Sequence, residues 1–345
     1  MVTMDDVASR AGVSTSTVSH VLNGTRKVSP ATVLAVQQAI QALGYIPNTL
    51  ARSLARSSTS TIGVAISALS NHYFSETVHA IETECAKHGY MMLFVDTHDD
   101  PEQELRVVTA LHHRRVDGIL LAPSSESKAL EYLQANEVPT VLVDRMMSAQ
   151  FDQVGVENTQ PTQALVEHLI AHGHRRIGFI AGREGFSTTD ERVAGYRAAL
   201  QAAGLAFDPQ LLVNGGSNTE PARQATVQLL GLAPPPTAIM AGNNLMTLGA
   251  MQALRDARID VPAQMALVGF DDFDWADFFV PRLTLIAQPV QALGAQAVNL
   301  LLQRMASPGT PTHSVRLTPT LQVRNSCGCI GLECPPYEQP CFPRH

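Results

Sequence analysis

From residue 61 to residue 326 the chain alternates short apolar runs with longer amphipathic segments, and this rhythm restricts the fold more than any other feature. The apolar runs fall at 62–67 (IGVAIS), 91–95 (MMLFV), 118–122 (GILLA), 139–143 (PTVLV), 154–156, 176–181 (RIGFIA), 238–241 and 266–270 (ALVGF). Segments of helical periodicity lie around 73–88, 102–114, 127–135, 160–172, 190–203, 220–230, 245–257 and 289–305. Parallel strands need crossover connections, and strands apolar on both sides are buried on both faces. The pattern therefore predicts parallel sheets covered by helices. The strands are too many for one small sheet, and each half reads as a complete doubly wound unit. The change-over is placed near Asn158–Pro161. In such folds a small ligand binds in the crevice at the carboxyl ends of the strands.

The first sixty residues follow another rule. Thr3 to Asn23, TMDDVASRAGVSTSTVSHVLN, reads as two short helices meeting at a tight turn. Thr3 is placed to cap the first helix, and Asp5 and Asp6 suit the positive end of its dipole. Gly12 falls where that helix must stop, because glycine takes the left-handed conformation at no steric cost. Ser14 caps a second helix whose inner face is Val18, Val21 and Leu22. Its other face carries Thr15, Ser16, Ser19 and His20, short polar groups suited to base edges in a DNA major groove. Ser29-Pro30 then starts a third helix that runs to Leu43, with Val33, Val36, Ile40 and Leu43 on one face, and Gly44 ends it. Tyr45 to Asn48 reads as an extended link. Thr49 to Arg56 (TLARSLAR) has helical propensity but only about two turns, too few for stability alone. It reads either as a flexible connector or as a helix that folds on a target, with Leu54 as an apolar wedge and Arg52 and Arg56 on phosphates.

Charge supports a nucleic-acid-binding end. The chain of 345 residues has net charge −7. Residues 1–60 hold five basic and two acidic side chains, +3, and the remainder 19 and 29, −10. Such asymmetry points to a basic, DNA-facing end on an acidic protein. No run of eighteen apolar residues and no basic stretch followed by an apolar core occurs, so neither a membrane span nor a secretory signal is expected, and a cytoplasmic protein is.

These residues together strongly resemble the LacI/GalR family of bacterial repressors. DVASRAGVSTSTVSHVLN, the V-S-P helix start, GYIPN and the hinge-like ARSLA match the family's head in order and spacing. TIGVAIS, HYF, RRVDGILL, VDR at 143–145, GHRRIGFIAG, ERVAGY, PTAIMAGNN, LVGFDD, LTLIAQP and RLTPTLQVR continue the match to about residue 326. The resemblance implies an all-α helix-turn-helix head, residues 1–46, then a hinge helix and linker, 47–60. Residues 61–326 become a ligand-binding and dimerisation domain of two doubly wound parallel-sheet subdomains, periplasmic-binding-protein-like, followed by a Cys/Pro-rich tail, 327–345. It also implies a homodimer, or a higher assembly of such dimers, on a near-palindromic double-stranded operator. Thr15, Ser16 and His20 take the base-reading positions, His20 standing where several members carry arginine. Leu54 takes the minor-groove wedge position, and Ser14, Ser19, Asn23 and Arg52 are the remaining DNA-binding candidates.

By the same resemblance the effector is bound by Tyr73, Phe74, Asp144, Arg145, Thr188, Arg192, Asn243 and Asp271. The arginine that purine-responsive members place near Phe186 is absent, which favours a sugar or sugar acid. Position alone leaves other roles open: Tyr73 and Phe74 also suit a core, Asp271-Asp272 a capping pair, and Arg192 a surface ion pair. A soluble sugar-binding receptor would account for residues 62–326 and leave residues 1–60 idle. A regulator using a nucleobase corepressor and an α/β enzyme using Asp144 or Asp271 also fit parts of the pattern. There is no G-x-S-x-G elbow, phosphate loop or dinucleotide glycine fingerprint, so no enzyme and no cofactor are expected. His172 and His174 flank Gly173 and are assigned to turn structure. Cys327-Gly-Cys329, Cys334 and Cys341 lack the spacing of a recognised zinc finger, Pro335-Pro336 suggests disorder, and no metal site is assigned.

Overall fold

The computed structural model describes residues 2–24, 26–45, 58–67, 71–124 and 127–329. The chain divides into two compact units, Met1–Thr59 and Ser60–His345.

The first unit holds helices α1 (Met4–Ala11), α2 (Thr15–Asn23) and α3 (Pro30–Leu43). Each begins and ends as its sequence dictates. Thr3 and Asp6 form a reciprocal capping box, Asp6 N donating to Thr3 Oγ1 at 3.3 Å and Thr3 N to Asp6 Oδ2 at 2.8 Å. Ser14 and Ser29 cap α2 and α3, and Gly12, Gly24 and Gly44 end the three helices with φ near +60°. Val7, Ala8, Val18, Val36 and Ala39 form the core. Tyr45, read as part of an extended link, closes that core instead, with its N–H bonded to Ile40 O at 3.1 Å. The hinge candidates Arg52 and Leu54, with Arg56, lie outside the described residues.

The second unit contains two six-stranded sheets. The strands are β1 (Thr61–Ala65), β2 (Met91–Val95), β3 (Gly118–Leu121), β4 (Thr140–Val143), β5 (Asp152–Val156), β6 (Ile177–Ala181), β7 (Leu212–Asn214), β8 (Ala238–Ala241), β9 (Ala266–Phe270), β10 (Thr284–Ala287), β11 (Ser314–Leu317) and β12 (Thr320–Gln322). The helices between them are α4 (His72–Lys87), α5 (Pro101–His113), α6 (Lys128–Ala135), α7 (Thr159–Ala171), α8 (Ser187–Ala202), α9 (Thr219–Leu230), α10 (Asn244–Asp256) and α11 (Val290–Ala306). The sheets run β11-β5-β4-β3-β1-β2 and β12-β10-β9-β8-β6-β7, so the second repeats the first strand for strand. Among the described residues every pairing is parallel except β10 with β12. Buried Val, Ile and Leu fill the strand interiors, as two-sided burial requires.

The sequence placed one change-over between the halves; the structure has three. The chain leaves the first sheet after Val156, returns after Ala287 and leaves again after Leu317. Helix α11 accordingly packs on α4 of the first half, with Gly294 against Ala80 and Ile81. The return was hidden because β11 and β12 are only four and three residues long and carry exposed polar positions, leaving no apolar run to read. β7 and β10, of three and four residues, were also missed.

Candidate functional site

Strands β4 and β9 occupy the same place in their sheets, third from the β11 and β12 edges. Each is followed by an aspartate with a left-handed backbone, Asp144 at φ 68° and Asp271 at φ 70°. Aspartate tolerates this conformation better than most side chains. Both carboxylates are buried, and both line one cavity of about 360 Å³ between the sheets. That volume is within the range of small-molecule sites.

The first-sheet wall comes from α4 and the β4 corner. Asn71 caps α4 through Tyr73 N, at 3.0 Å, and so sets Tyr73 and Phe74 in its first turn. Both rings belong to the first-half core, which vindicates that reading, but the Tyr73 hydroxyl faces the cavity and donates to Asp144 Oδ1 at 2.7 Å. Arg145 is buried, donates to Asp99 Oδ1 at 2.7 Å and to Pro123 O at 3.1 Å, and lies 3.9 Å over the Phe186 ring.

The second-sheet wall is built around Arg192 on α8. Its Nε donates to Asn158 Oδ1 at 2.8 Å and its NH1 to the Gly242 carbonyl at 2.6 Å. The guanidinium lies 3.6 Å over the Phe270 ring, and NH2 stands 3.9 Å from Asp271 Oδ1. Arg192 is therefore no surface ion pair. Gln288 also donates to Asp271 Oδ1, at 2.5 Å. Thr188 lies one helical turn before Arg192 on the same wall. Asn243 lines it too, but its Oδ1 caps α10 through Met246 N at 2.8 Å.

Burial pushes the Asp144 carboxyl up, opposed by Arg145, the Tyr73 hydrogen bond and Arg192. Burial likewise pushes Asp271 up, opposed by Arg192 and Gln288. Tyr73, buried beside the Asp144 carboxylate, is held well above the usual phenol range and stays a donor. The cavity thus presents buried acceptors and donors side by side.

All eight effector candidates line this cavity. Sequence reasoning missed Asp96, His98, Asp99, Asn218 and Arg183, which line it as well. They sit in loops after strands, where no periodicity marks them. Arg183 lies three residues before Phe186, so a guanidinium does stand near that ring, 5.8 Å from it. The two walls are bridged by Arg183 NH1 donating to Asp99 O at 3.0 Å and Asn244 Nδ2 to Asn71 Oδ1 at 2.9 Å.

In the head, Ser14, Thr15, Ser16, Ser19, His20 and Asn23 fall on α2 or its cap. Ser16 is exposed, and Ser14 Oγ lies 2.8 Å from both Ser16 Oγ and Thr17 Oγ1. Thr15 Oγ1 donates to Asp5 Oδ1 of α1 at 2.8 Å, and Asn23 Nδ2 to Ser19 Oγ at 3.2 Å. The small hydroxyls are thus already ordered by neighbours.

The segment after residue 326 departs from expectation. Cys327 and Cys329 are buried in the second-half core, not in a disordered tail. His172, assigned to turn structure, is the cap of α7, and its Nε2 lies 3.1 Å from Cys329 Sγ. Cys334, Cys341 and Pro335-Pro336 lie outside the described residues.

Comparison with known proteins agrees with this architecture. The family model for bacterial regulatory proteins, lacI family, matches residues 3–48, and that for a periplasmic binding protein-like domain matches residues 166–327. The chain is 36% identical over 335 residues to the HTH-type transcriptional repressor PurR of Haemophilus influenzae (strain PittEE), covering 96% of this chain and all of that one. It is 38% identical over 329 residues to the ribose operon repressor of Escherichia coli (strain K12), covering 94% of this chain and all of that one. The lac repressor dimer bound to operator and the anti-inducer ONPF superposes with a TM-score of 0.85 at 31% identity, over 94% of this chain and 99% of that one. The regulator CelR in complex with cellobiose gives 0.72 at 31% identity, over 94% and 100%.

Proposed function

The chain belongs to the lacI family of bacterial regulatory proteins, and from that premise we propose a dimeric, sequence-specific transcriptional repressor whose hold on a near-palindromic operator is set by a sugar or sugar acid bound between its two sheets. The observation that carries the effector class is the pairing of buried Asp144 and Asp271, from equivalent strands, with Tyr73 and Arg192 around one cavity. A sugar hydroxyl both donates and accepts, and this wall offers acceptors and donors side by side. Four carboxylates (Asp96, Asp99, Asp144, Asp271) face three guanidiniums (Arg145, Arg183, Arg192), a near balance of charge that favours a neutral polyol over a strongly charged ligand. Arg145 already stacks on one face of Phe186, which leaves that face closed to a planar base. The similarity to a ribose operon repressor and to a cellobiose-bound regulator points the same way.

On this reading α2 enters the major groove with Ser16 and His20 toward base edges, and Thr15 exchanges its Asp5 contact for one with DNA. The segment with Arg52 and Leu54 serves as hinge. Effector and operator each favour one arrangement of the two halves, so each changes the other's affinity by the same factor, typically about 1–3 kcal/mol. Asp144 and Asp271 act as hydrogen-bond acceptors and turn nothing over.

A thermal-shift screen of pentoses, hexoses, disaccharides, sugar acids and nucleobases should give one chemical class that raises Tm by mass action. The hit should then change the retardation of DNA from upstream of the chain's own gene. A nucleobase as the sole hit would overturn the sugar assignment. Failure of the dimer to prefer any upstream DNA over random DNA, with or without the hit, would overturn the repressor.

A further inference from the structure

The end of α7 and the turn that follows β12 bring together a set of metal ligands that the cleft does not use. His168 Nε2, Cys327 Sγ and Cys329 Sγ all lie within 4.8 Å of one another. The Cys329 sulfur is 3.6 Å from His168 Nε2 and 3.1 Å from His172 Nε2. A tetrahedral zinc with Zn–S of about 2.3 Å and Zn–N of about 2.1 Å places sulfur and nitrogen ligands about 3.6 Å apart. We propose that His168, Cys327 and Cys329, with His172 as the fourth ligand, form a structural zinc(II) site that ties the residues after β12 to the end of α7.

Further observations fit zinc(II) better than hydrogen bonding alone. His168 and His172 are four residues apart on one helical face, the spacing by which a helix offers two imidazoles to one ion. His172 Nδ1 lies 2.8 Å from the His168 carbonyl. A carbonyl only accepts, so Nδ1 carries the proton and Nε2 presents its lone pair toward Cys329. Metal-bound histidines are held in this way by an outer carbonyl. On the sulfur side, Gly328 takes φ 97°, which turns Cys327 and Cys329 toward α7. The Thr284 hydroxyl donates to Cys327 Sγ at 3.3 Å and would steady a thiolate. Neither cysteine is in a disulfide. Two thiolates and two imidazoles make a soft, closed set that suits zinc(II) rather than calcium or magnesium. Binding forms two Zn–S and two Zn–N bonds and releases the two thiol protons, with no redox step. Exposed His172 leaves the ion a way in. The site stands apart from the cleft and needs neither effector nor operator.

The test uses the full chain, purified under reducing conditions with zinc(II) and then freed of loose metal by gel filtration. Elemental analysis should find one zinc per chain. Replacement by cobalt(II) should give visible bands of a tetrahedral ion and an ultraviolet thiolate-to-cobalt band, which reads the ligand set without any substitution. Cys329→Ser and His168→Gln should lose the zinc and the charge-transfer intensity, and His172→Gln should give the metal up faster to a chelator. The double variant Cys334→Ser/Cys341→Ser should keep one zinc. Absence of retained zinc and of a cobalt–thiolate band in the unaltered chain overturns the proposal. So does zinc retained by both Cys329→Ser and His168→Gln, or zinc lost from the Cys334/Cys341 variant while its circular dichroism is unchanged.

Discussion

Asp144 and Asp271 stand at the ends of equivalent strands, in the same left-handed conformation, yet their nearest partners differ. Asp144 accepts from a neutral phenol, while the arginine beside it in sequence turns away to Asp99. Asp271 accepts from Gln288 and faces the guanidinium of Arg192, itself stacked on Phe270. A fold built twice has therefore produced two like acceptor corners, one bonded to a phenol and the other to an amide beside a stacked guanidinium. The repeated backbone supplies the frame, and the residues brought in by α4 and α8 decide what the frame can hold. A ligand held between the corners meets chemically distinct ends, which fixes its orientation.

The largest effect expected from this difference is at Arg192. Arg192→Met removes the donors to Asn158 and Gly242 O and leaves Asp271 buried without its cation, a loss of about 3 kcal/mol. Arg145→Met should cost less, about 1–2 kcal/mol, because its partner Asp99 keeps 22% side-chain exposure and can be solvated. Urea unfolding of both variants checks this. Equal losses, or a larger one for Arg145, would break the distinction between the two walls.

Next in size is the phenol. Tyr73→Phe keeps the ring in the core but removes the donor to Asp144, leaving a buried carboxylate short of one hydrogen bond, for about 2 kcal/mol. The effector found in the screen should also bind more weakly to this variant. A variant as stable as the parent, with unchanged affinity, would mean that the first corner does not lean on the hydroxyl.

How much of this was readable in the sequence depends on how locally each feature is encoded. Thr3, Gly12, Ser14 and Ser29-Pro30 act on their own helices, and the caps formed where the sequence put them. Apolar runs such as ALVGF announce strands because both faces are buried. The eight effector candidates gather on one cavity, but only the family resemblance picked them, since Arg192 alone looks like any helical arginine. What stayed hidden is set by pairs far apart in the chain. His168 meets Cys329 across 161 residues, Arg316 meets Glu191 across 125, and the second and third crossings between sheets depend on strands of three or four residues. Arg183 and Asp99, in loops after strands, carry no periodic signal, and only the folded chain shows that they bridge the cleft.

The smallest effect sharpens the comparison through its sign. Burial raises Asp144 above its ordinary 3.8, so the native state holds its proton more tightly than the unfolded chain does. A raised carboxylate weakens stability as pH climbs through the unfolded and then the folded value, and the full penalty is present at neutral pH. Asp144→Asn keeps an acceptor for Tyr73 and removes that penalty. At pH 7 it should match or exceed the parent in stability. The gap should close as the pH falls toward the ordinary carboxylate range, where the parent's carboxyl is protonated too. Asp271 is raised by burial in the same way, but Asp271→Asn should have the opposite outcome, because it strips Arg192 of its buried counter-charge, and it should be less stable than the parent at pH 7. Urea midpoints of the three chains, measured from neutral pH downward, separate the cases. A destabilised Asp144→Asn whose deficit grows with pH would show that the first corner, too, is governed by a cation, Arg145, and that the two walls are chemically alike.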